Sequence, residues 1–216
     1  LKYGYPYHIY GGMKFYERKE IKDTLAYLRL LVNPDDNLSL GRIINEPKRS
    51  IGVGSYQKLE DGAAQLGLSM PEVLQNLSPT AQKSVGRFVT LITHLRSLVH
   101  EVEIPELLDA LWSETGYFDY LEKQDPTSAE SRIENLKEFA ASAVEFMENM
   151  AEAQQMAGED EFDDADDNSP TLENFLARIA LITDTDSYDS EDGSITLLTM
   201  HAAKGLEFPV VFMVGL

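Results

Sequence analysis

The sequence predicts a mainly α-helical protein in which a helical body interrupts a small α/β part. Apolar, β-branched runs occur at Ile195–Thr199 and Val210–Val214, and a short aromatic stretch occurs at Tyr5–Tyr10. Continuous apolar runs of this length are typical of strands buried on both faces of a parallel sheet. Between them, about 170 residues repeat apolar side chains at helical spacing, interrupted by caps and prolines. We therefore expect strand, helical body, then further strands.

Composition places the chain among ordinary globular proteins. Of its 216 residues, 43% are hydrophobic and 25% are charged, and no run of about 18 apolar residues predicts a membrane span. The absence of cysteine excludes disulfides and thiolate metal sites, and it fits a reducing cytoplasm. Four scattered histidines form no metal-binding spacing, so we expect no metal site. Because the chain starts at Leu1 and not at Met, we expect it to be a piece of a longer protein.

Charge is distributed unevenly along the chain. The net charge of −19 argues against nucleic-acid binding by the whole surface. However, residues 1–100 hold 13 Lys and Arg against 9 Asp and Glu, whereas residues 101–216 hold 5 against 28. This asymmetry permits a DNA-facing N-terminal half on an acidic body.

The first predicted helix spans Glu17–Leu31, with Ile21, Leu25 and Leu28 on its apolar face. Four cations gather around its first turns, although the helix dipole favours acids there: Lys14, Arg18, Lys19 and Lys22. The sequence leaves two interpretations open. The cations bind an anion, or they share a solvated charged face with Glu17, Glu20 and Asp23.

A glycine-containing stretch follows a short helix predicted over Leu38–Asn45. Pro47 ends that helix, and Gly52 and Gly54 permit a tight hairpin with unobstructed backbone amides. Ser55 can cap the next helix, and amides beside a helix N-terminus form an anion site suited to phosphate. Lys48, Arg49 and Lys58 surround this stretch with positive charge. The alternative is a glycine-rich connector between packed helices.

The rest of the body is predicted as further helices. We expect them at Tyr56–Gln65, Val73–Leu77, Pro79–Val99, Ile104–Gly116 with a buried Trp112, Tyr117–Leu121, Arg132–Gln155 and Ser169–Thr183. Lys123–Thr127 is interpreted as a turn, and Leu172, Phe175, Leu176, Ile179 and Ile182 as buried. Residues 158–168 are almost wholly acidic but lack the spacing of a calcium loop.

Three strings resemble motifs of superfamily 1 helicases, closest to the PcrA/UvrD group. Residues 195–209 resemble motif V, residues 11–23 resemble motif IVa, and Ser131–Leu136 is similar to a string of the same family. No phosphate loop of the form Gly-x-x-x-x-Gly-Lys-Ser/Thr is present. The nearest match runs from Gly52 to Lys58, but it has Gln57 where the second glycine is required. The family's motifs IV and VI lie beyond the two ends of the chain, again as expected for a piece of a helicase.

The resemblance implies a helical 2B domain with a helix-hairpin-helix-like element, inserted into a partial α/β RecA-like domain 2A. Residues 1–10 and 193–216 would belong to 2A, and residues 11–192 to 2B. In motif V, Thr199 and His201 would contact single-stranded DNA, and Gly205 and Glu207 the nucleotide. Residues 49–52 resemble the family's Gly-Ile-Gly duplex-contacting element, with Ser50 replacing the first glycine. The implied duplex contacts are Lys48, Arg49, Ser50, Ile51, Gly52, Val53, Gly54, Ser55 and Lys58.

The function implied is that of an ATP-dependent DNA helicase moving 3′ to 5′ in repair or replication, in the bacterial cytoplasm at the nucleoid. ATP and Mg²⁺ would serve the parent protein, and this piece would hold no catalytic residue. Its partners would be DNA, domains 1A and 1B with the rest of 2A, and repair or transcription proteins. Two alternatives are an acidic protein-interaction module without DNA binding, and an acid/base hydrolase. Against the hydrolase, the acids lie in runs and linkers and not as a pair in an apolar setting.

Overall fold

The computed structural model describes residues 7–10, 15–49, 51, 79–157, 169–185, 195–198 and 207–214. The chain divides into two compact units, one of Leu1–Arg18 with Ala180–Leu216 and one of Lys19–Ile179. We describe each unit by itself. The helices predicted at Tyr56–Gln65 and Val73–Leu77, and the acidic residues 158–168, lie outside the described residues.

The first unit contains a two-stranded parallel sheet. Strand β1 (Tyr7–Tyr10) pairs with β2 (Ile195–Leu198), and the register joins Tyr7 to Ile195 and Tyr10 to Leu198. A 3₁₀ turn, Phe15–Glu17, follows β1. Strands close in space but far apart in sequence need a long crossover, which the helical unit between them provides. Strands were predicted at both places, and the structure adds that these eight residues pair directly and in parallel.

The prediction of a third strand at Val210–Val214 is wrong. Over the described residues 207–214 the backbone forms no strand, and Phe212 and Val214 are 86% and 90% exposed. An apolar run becomes a strand only where a neighbouring strand accepts its backbone hydrogen bonds. No described strand lies beside this segment.

Described helices of the second unit run in chain order, the last one continuing into the first unit. They are α1 (Lys19–Val32), α2 (Asn37–Ile43), α3 (Pro79–Leu98), α4 (Ile104–Thr115), α5 (Tyr117–Gln124), α6 (Pro126–Ala157) and α7 (Leu172–Thr185). The mainly α prediction is confirmed. None of the described helices is long and apolar enough to cross a bilayer.

Local sequence explains several helix boundaries. Asp36 caps α2 by accepting the Ser39 amide at 3.0 Å. Gly116 ends α4 in the left-handed region at φ 66°, as predicted from a glycine at that position. Asp125 begins α6, accepting from the Thr127 amide at 3.1 Å and from the Ser128 hydroxyl at 2.6 Å. These side chains lower the pKa of Asp125 to about 2, with Ser128 contributing most.

The start of the long helix therefore differs from the prediction. We expected a turn at Lys123–Thr127 and a helix from Arg132, whereas α6 begins at Pro126. An aspartate cap followed by proline at the first helical position favours a helix start, and that signal outweighs the turn-like composition.

The core forms where α1 is enclosed by the other helices. Buried side chains include Ile21, Tyr27 and Leu28 of α1, Phe88 of α3, Leu108 and Trp112 of α4, Tyr117 of α5, Phe139 of α6 and Phe175 of α7. The Phe175 ring lies 5.7 Å from that of Phe139 and 5.4 Å from that of Phe146, joining α7 to α6. Ile182 was predicted to be buried but is 38% exposed, because it lies past the part of α7 that packs in this core.

Candidate nucleic-acid interface

The structure describes four of the predicted site residues: Lys48, Arg49, Ile51 and Glu207. The other predicted contacts lie outside the described residues, namely Ser50, Gly52, Val53, Gly54, Ser55, Lys58, Thr199, His201 and Gly205. The candidate interface is therefore built from the loop that follows α2. Its predicted helix-hairpin-helix continuation stays a prediction.

The loop after α2 is held from behind by one amide side chain. Asn45 Oδ1 accepts hydrogen bonds from the backbone amides of Arg49 at 2.7 Å and Ile51 at 3.4 Å. Ile51 is buried at 4% exposure and anchors the end of the loop. A side-chain acceptor that satisfies two nearby backbone amides fixes a turn in one conformation. Asn45 thus holds the backbone amides of Arg49 and Ile51, which come just before residues 52–58.

Arg49 is engaged inside the protein. Its guanidinium donates to the carbonyls of Ile43 at 3.0 Å and Ile44 at 3.3 Å, and to the Tyr27 hydroxyl at 2.6 Å. It also lies 5.1 Å from the centre of the Phe88 ring. These contacts satisfy carbonyls at the end of α2 and join α1 to α3. Arg49 therefore has a structural role, whatever further contact it makes.

Lys48, by contrast, is exposed and lines an open groove. The groove has a volume of about 460 Å³ and runs between the loop and α5. Its lining residues are Pro47, Lys48, Gly116, Asp119, Tyr120, Lys123 and Gln124. A lysine on the rim of such a groove can reach a phosphate as a mobile point charge.

An ionic network centred on the buried carboxylate of Asp23 adjoins this loop. The carboxylate of Asp23, 1% exposed, accepts from Lys19 at 2.6 Å, Arg42 at 2.8 Å and Tyr117 at 2.7 Å. Lys19 also binds Glu46 at 3.0 Å, and Tyr120 donates its hydroxyl to the same Glu46 carboxylate. The positive charges of Lys19 and Arg42 therefore balance the negative charges of Asp23 and Glu46.

The network answers the open question about the cations near α1 for Lys19 alone. Lys19 binds an anion, and that anion belongs to the protein itself. The alternative, a solvated face carrying Glu20 and Asp23, is wrong for these two acids because both are buried. Glu20, 4% exposed, accepts from Asn135 of α6 at 2.6 Å. A buried carboxylate needs such donors to offset lost hydration.

The tyrosines of this region stay protonated over a wide pH range. Burial raises the pKa of Tyr27 to about 12, although the adjacent Arg49 partly opposes this. Burial also raises the pKa of Tyr117 and that of Tyr120, and the neighbouring carboxylates of Asp23 and Glu46 respectively add to the shift. Each phenol is thereby kept as a hydrogen-bond donor. Both oxygens of Asp23 and Oε2 of Glu46 accept hydrogen bonds from protein donors, so the pair acts as a structural tie and not as an acid/base pair.

Glu207, predicted to approach a nucleotide, is exposed. Its predicted hydrogen bond with the ribose of a nucleotide stays a prediction. Among the described residues no group of three or more His, Cys, Asp or Glu could hold a metal ion.

Comparison with known proteins identifies the family. The whole chain, residues 1–216, matches the sequence profile of the UvrD-like helicase C-terminal domain. The chain belongs to the UvrD-like helicase C-terminal domain family. It is 38% identical over 221 residues to the ATP-dependent DNA helicase PcrA of Staphylococcus aureus. It is 39% identical over 224 residues to the protein of the same name from Leuconostoc citreum.

Each comparison covers 100% of this chain and 28% of the relative, so the chain spans just over a quarter of their length. The UvrD-like resemblance inferred from the three strings is thus confirmed for the family. Residues that shape the described interface but were absent from the predicted site are Asn45, Tyr120 and Lys123. Only Asn45 was marked by the sequence, as an amide three residues before the basic pair Lys48-Arg49.

Proposed function

We propose that this chain is part of an ATP-dependent DNA helicase that moves 3′ to 5′ in DNA repair or replication. The observation that carries the proposal is the family match over all 216 residues, with relatives named as ATP-dependent DNA helicases. Residues 11–192 would form the helical 2B domain, inserted into a RecA-like domain 2A of residues 1–10 and 193–216. Other domains of the helicase, 1A and 1B, would supply the phosphate loop that this sequence lacks.

Two DNA contacts are part of the proposal. The loop and hairpin at residues 48–58 would bind the duplex backbone, and Thr199 and His201 would bind the single strand. Exposed Lys48 supports the first contact, because phosphate contacts by lysine dominate sequence-independent binding. Arg49 would act by holding the loop, given its intramolecular hydrogen bonds. Gly205 and Glu207 would contact the nucleotide.

ATP and Mg²⁺ would bind in the complete helicase, where phosphoryl transfer from ATP drives movement along DNA. This chain would contribute Glu207 as an acceptor for a ribose hydroxyl. Because it lacks the phosphate loop, the 216-residue chain alone should neither hydrolyse ATP nor unwind DNA. ATP hydrolysis by the purified chain that Glu207→Ala abolishes would refute this.

The duplex contact is tested by titrating the chain with labelled duplex DNA at two salt concentrations. Lys48→Ala should weaken binding to every sequence alike and lower the salt slope by about one. Gly52→Asp should weaken it by about 1–3 kcal/mol, since a carboxylate would face the phosphate. If neither variant changes duplex affinity, residues 48–58 form a connector only.

The second candidate is an acidic protein-interaction module, with repair or transcription proteins as partners. The observation favouring it is the solvent-facing series of acids on α6, with Glu130, Glu134, Glu138 and Glu145 all exposed. Such a surface repels DNA and suits a basic partner. A chain that binds no duplex at low salt would favour this function.

A further inference from the structure

We propose that the groove between the loop at Pro47–Lys48 and helix α5 binds the phosphodiester backbone of duplex DNA, with Lys123 as a second phosphate contact. This inference rests on the proposed function and extends the duplex contact from the loop to α5. It adds Lys123, which lies 75 residues after Lys48 in the sequence.

The first argument is the position of the two lysines. Lys48 from the loop and Lys123 from α5 line the same groove, and both are exposed. Within the described part of the chain, no carboxylate lies within salt-bridge distance of either ammonium group. Lys19 and Lys137, in contrast, are each paired with a carboxylate. The groove thus presents two positive charges that form no salt bridge with a described carboxylate.

The second argument is where the rare cations of the acidic half are placed. Residues 101–216 contain only five Lys and Arg against 28 Asp and Glu. Two of the five are at the groove. Lys123 lines it, and Arg132 donates to Gln124 Oε1 at 3.5 Å. Gln124 itself lines the groove. Clustered cations on an otherwise acidic surface are the electrostatic pattern of a local phosphate contact.

Acids near the groove do not cancel this charge. Glu46, a half-buried acid of the loop, is held by Lys19 at 3.0 Å and by the Tyr120 hydroxyl. Asp119 is the one carboxylate among the lining residues. Two lysines against one aspartate leave the groove positive, which favours a polyanion.

The wall of the groove favours a duplex backbone over a single strand. Tyr120 is fixed by its bond to Glu46, and the Lys19 ammonium lies 5.8 Å from the centre of its ring. Base stacking needs a free aromatic face, whereas here one face is already occupied by a cation. Pro47 and Gly116 complete the wall without charge. Sugars can pack there while the lysines contact phosphates.

A second groove on α5 and α6 provides a built-in comparison. It has nearly the same volume, about 470 Å³, but it is lined by Glu122, Glu130 and Glu134 together with Lys137. Lys137 is exposed and pairs with Glu134 at 3.5 Å. Lys123→Glu and Lys137→Glu therefore make the same change in net charge in two grooves of opposite sign.

The experiment measures binding of the full 216-residue chain to a short fluorescent DNA duplex by anisotropy, at two salt concentrations. Lys123→Glu should raise the duplex Kd about tenfold and lower the salt slope by about one or more. Lys123→Arg should keep the wild-type Kd. Lys137→Glu should leave it within about twofold, since Lys137 lines the other groove and is already paired with Glu134. Circular dichroism checks that each variant retains its helices.

Each contrary result has a defined meaning. If Lys48→Ala weakens duplex binding but Lys123→Glu does no more than Lys137→Glu, the inference is wrong and the proposed function stands. If Lys123→Glu weakens binding of a single strand and leaves duplex binding unchanged, the inference is also wrong. If the wild-type chain binds no duplex at low salt, both the inference and the proposed duplex contact fail.

Discussion

Tyr117 donates a 2.7 Å hydrogen bond to Oδ2 of Asp23, a carboxylate 94 residues earlier in the chain and 1% exposed. The same oxygen accepts from Lys19 at 2.6 Å, and the other oxygen accepts from Arg42 at 2.8 Å. Of the three donors, Lys19 belongs to α1, Arg42 to α2 and Tyr117 to α5. Asp23 is consequently the point at which α1, α2 and α5 are tied together.

We predict that Tyr117→Phe lowers the free energy of unfolding by about 2 kcal/mol, because a hydrogen bond to a buried charged acceptor is lost while the ring is kept. Urea denaturation followed by circular dichroism measures this. The control is the same substitution in an Asp23→Asn background. There the cost of Tyr117→Phe should be smaller, and equal costs in both backgrounds would show that the two residues are not coupled.

We predict that stability falls steeply in alkali. Below pH 10.0, the ordinary pKa of tyrosine, the folded and unfolded chains both keep the Tyr27 proton. As the pH rises from there towards about 12, only the unfolded chain loses it, so unfolding becomes more favourable. This residue alone removes about 3 kcal/mol over that interval. Urea denaturation across the interval measures the decline, and Tyr27→Phe should make it shallower. A decline of the same steepness in that variant would contradict the prediction.

Adjacent residues Lys48 and Arg49 should respond differently to truncation. We expect Arg49→Ala to lower the free energy of unfolding by about 2–3 kcal/mol, because three acceptors lose a charged donor. Lys48→Ala should change it by less than about 0.5 kcal/mol, as for most exposed positions. Thermal unfolding of both variants tests this. Equal melting temperatures would mean that the Arg49 contacts contribute little to stability.

Two glycines form a matched pair for testing backbone strain. A Cβ built at Gly116 or at Gly86 meets nothing within 4 Å, but only Gly116 has a positive φ, at 66°. Gly116→Ala should therefore destabilise the protein by about 1–2 kcal/mol. Gly86→Ala, inside α3, should be neutral or stabilise it by up to about 1 kcal/mol. Denaturant midpoints of the two variants give the comparison, and a similar loss in both would exclude backbone conformation as the cause.

Sequence patterns predicted the features that depend on near neighbours. Gly116 ends α4 because glycine alone adopts the left-handed cap without strain, and Trp112 is buried as a large ring on the apolar side of a helix. A strand on each side of the helical body was predicted from the aromatic stretch before it and the apolar run after it, and the structure shows β1 and β2 there. Family membership was accessible because motif strings preserve residue identity as well as polarity.

Other features depend on partners distant in sequence, and polarity patterns do not reveal them. Glu20 and Asp23 had the periodicity of an exposed face, yet both are buried because Asn135 and Tyr117 supply donors. The groove beside Lys48 was missed for the same reason, since Lys123 reaches it only after the chain folds. The strand predicted at Val210–Val214 was wrong for a different reason. The composition of this segment favours a strand, but no described strand lies beside it.

The charge balance of the Asp23 network bears on how this sequence can change. Lys19, Arg42, Asp23 and Glu46 sum to zero, so the net charge of −19 belongs to the rest of the chain. Exposed acids can be substituted one at a time, because water compensates for each change in charge. Replacing Lys19 or Arg42 leaves the buried Asp23 carboxylate with one counter-ion fewer, which is the costly case. Among relatives, we expect positions 19, 23, 42 and 46 to vary as compensated pairs, while the acids of α6 vary independently.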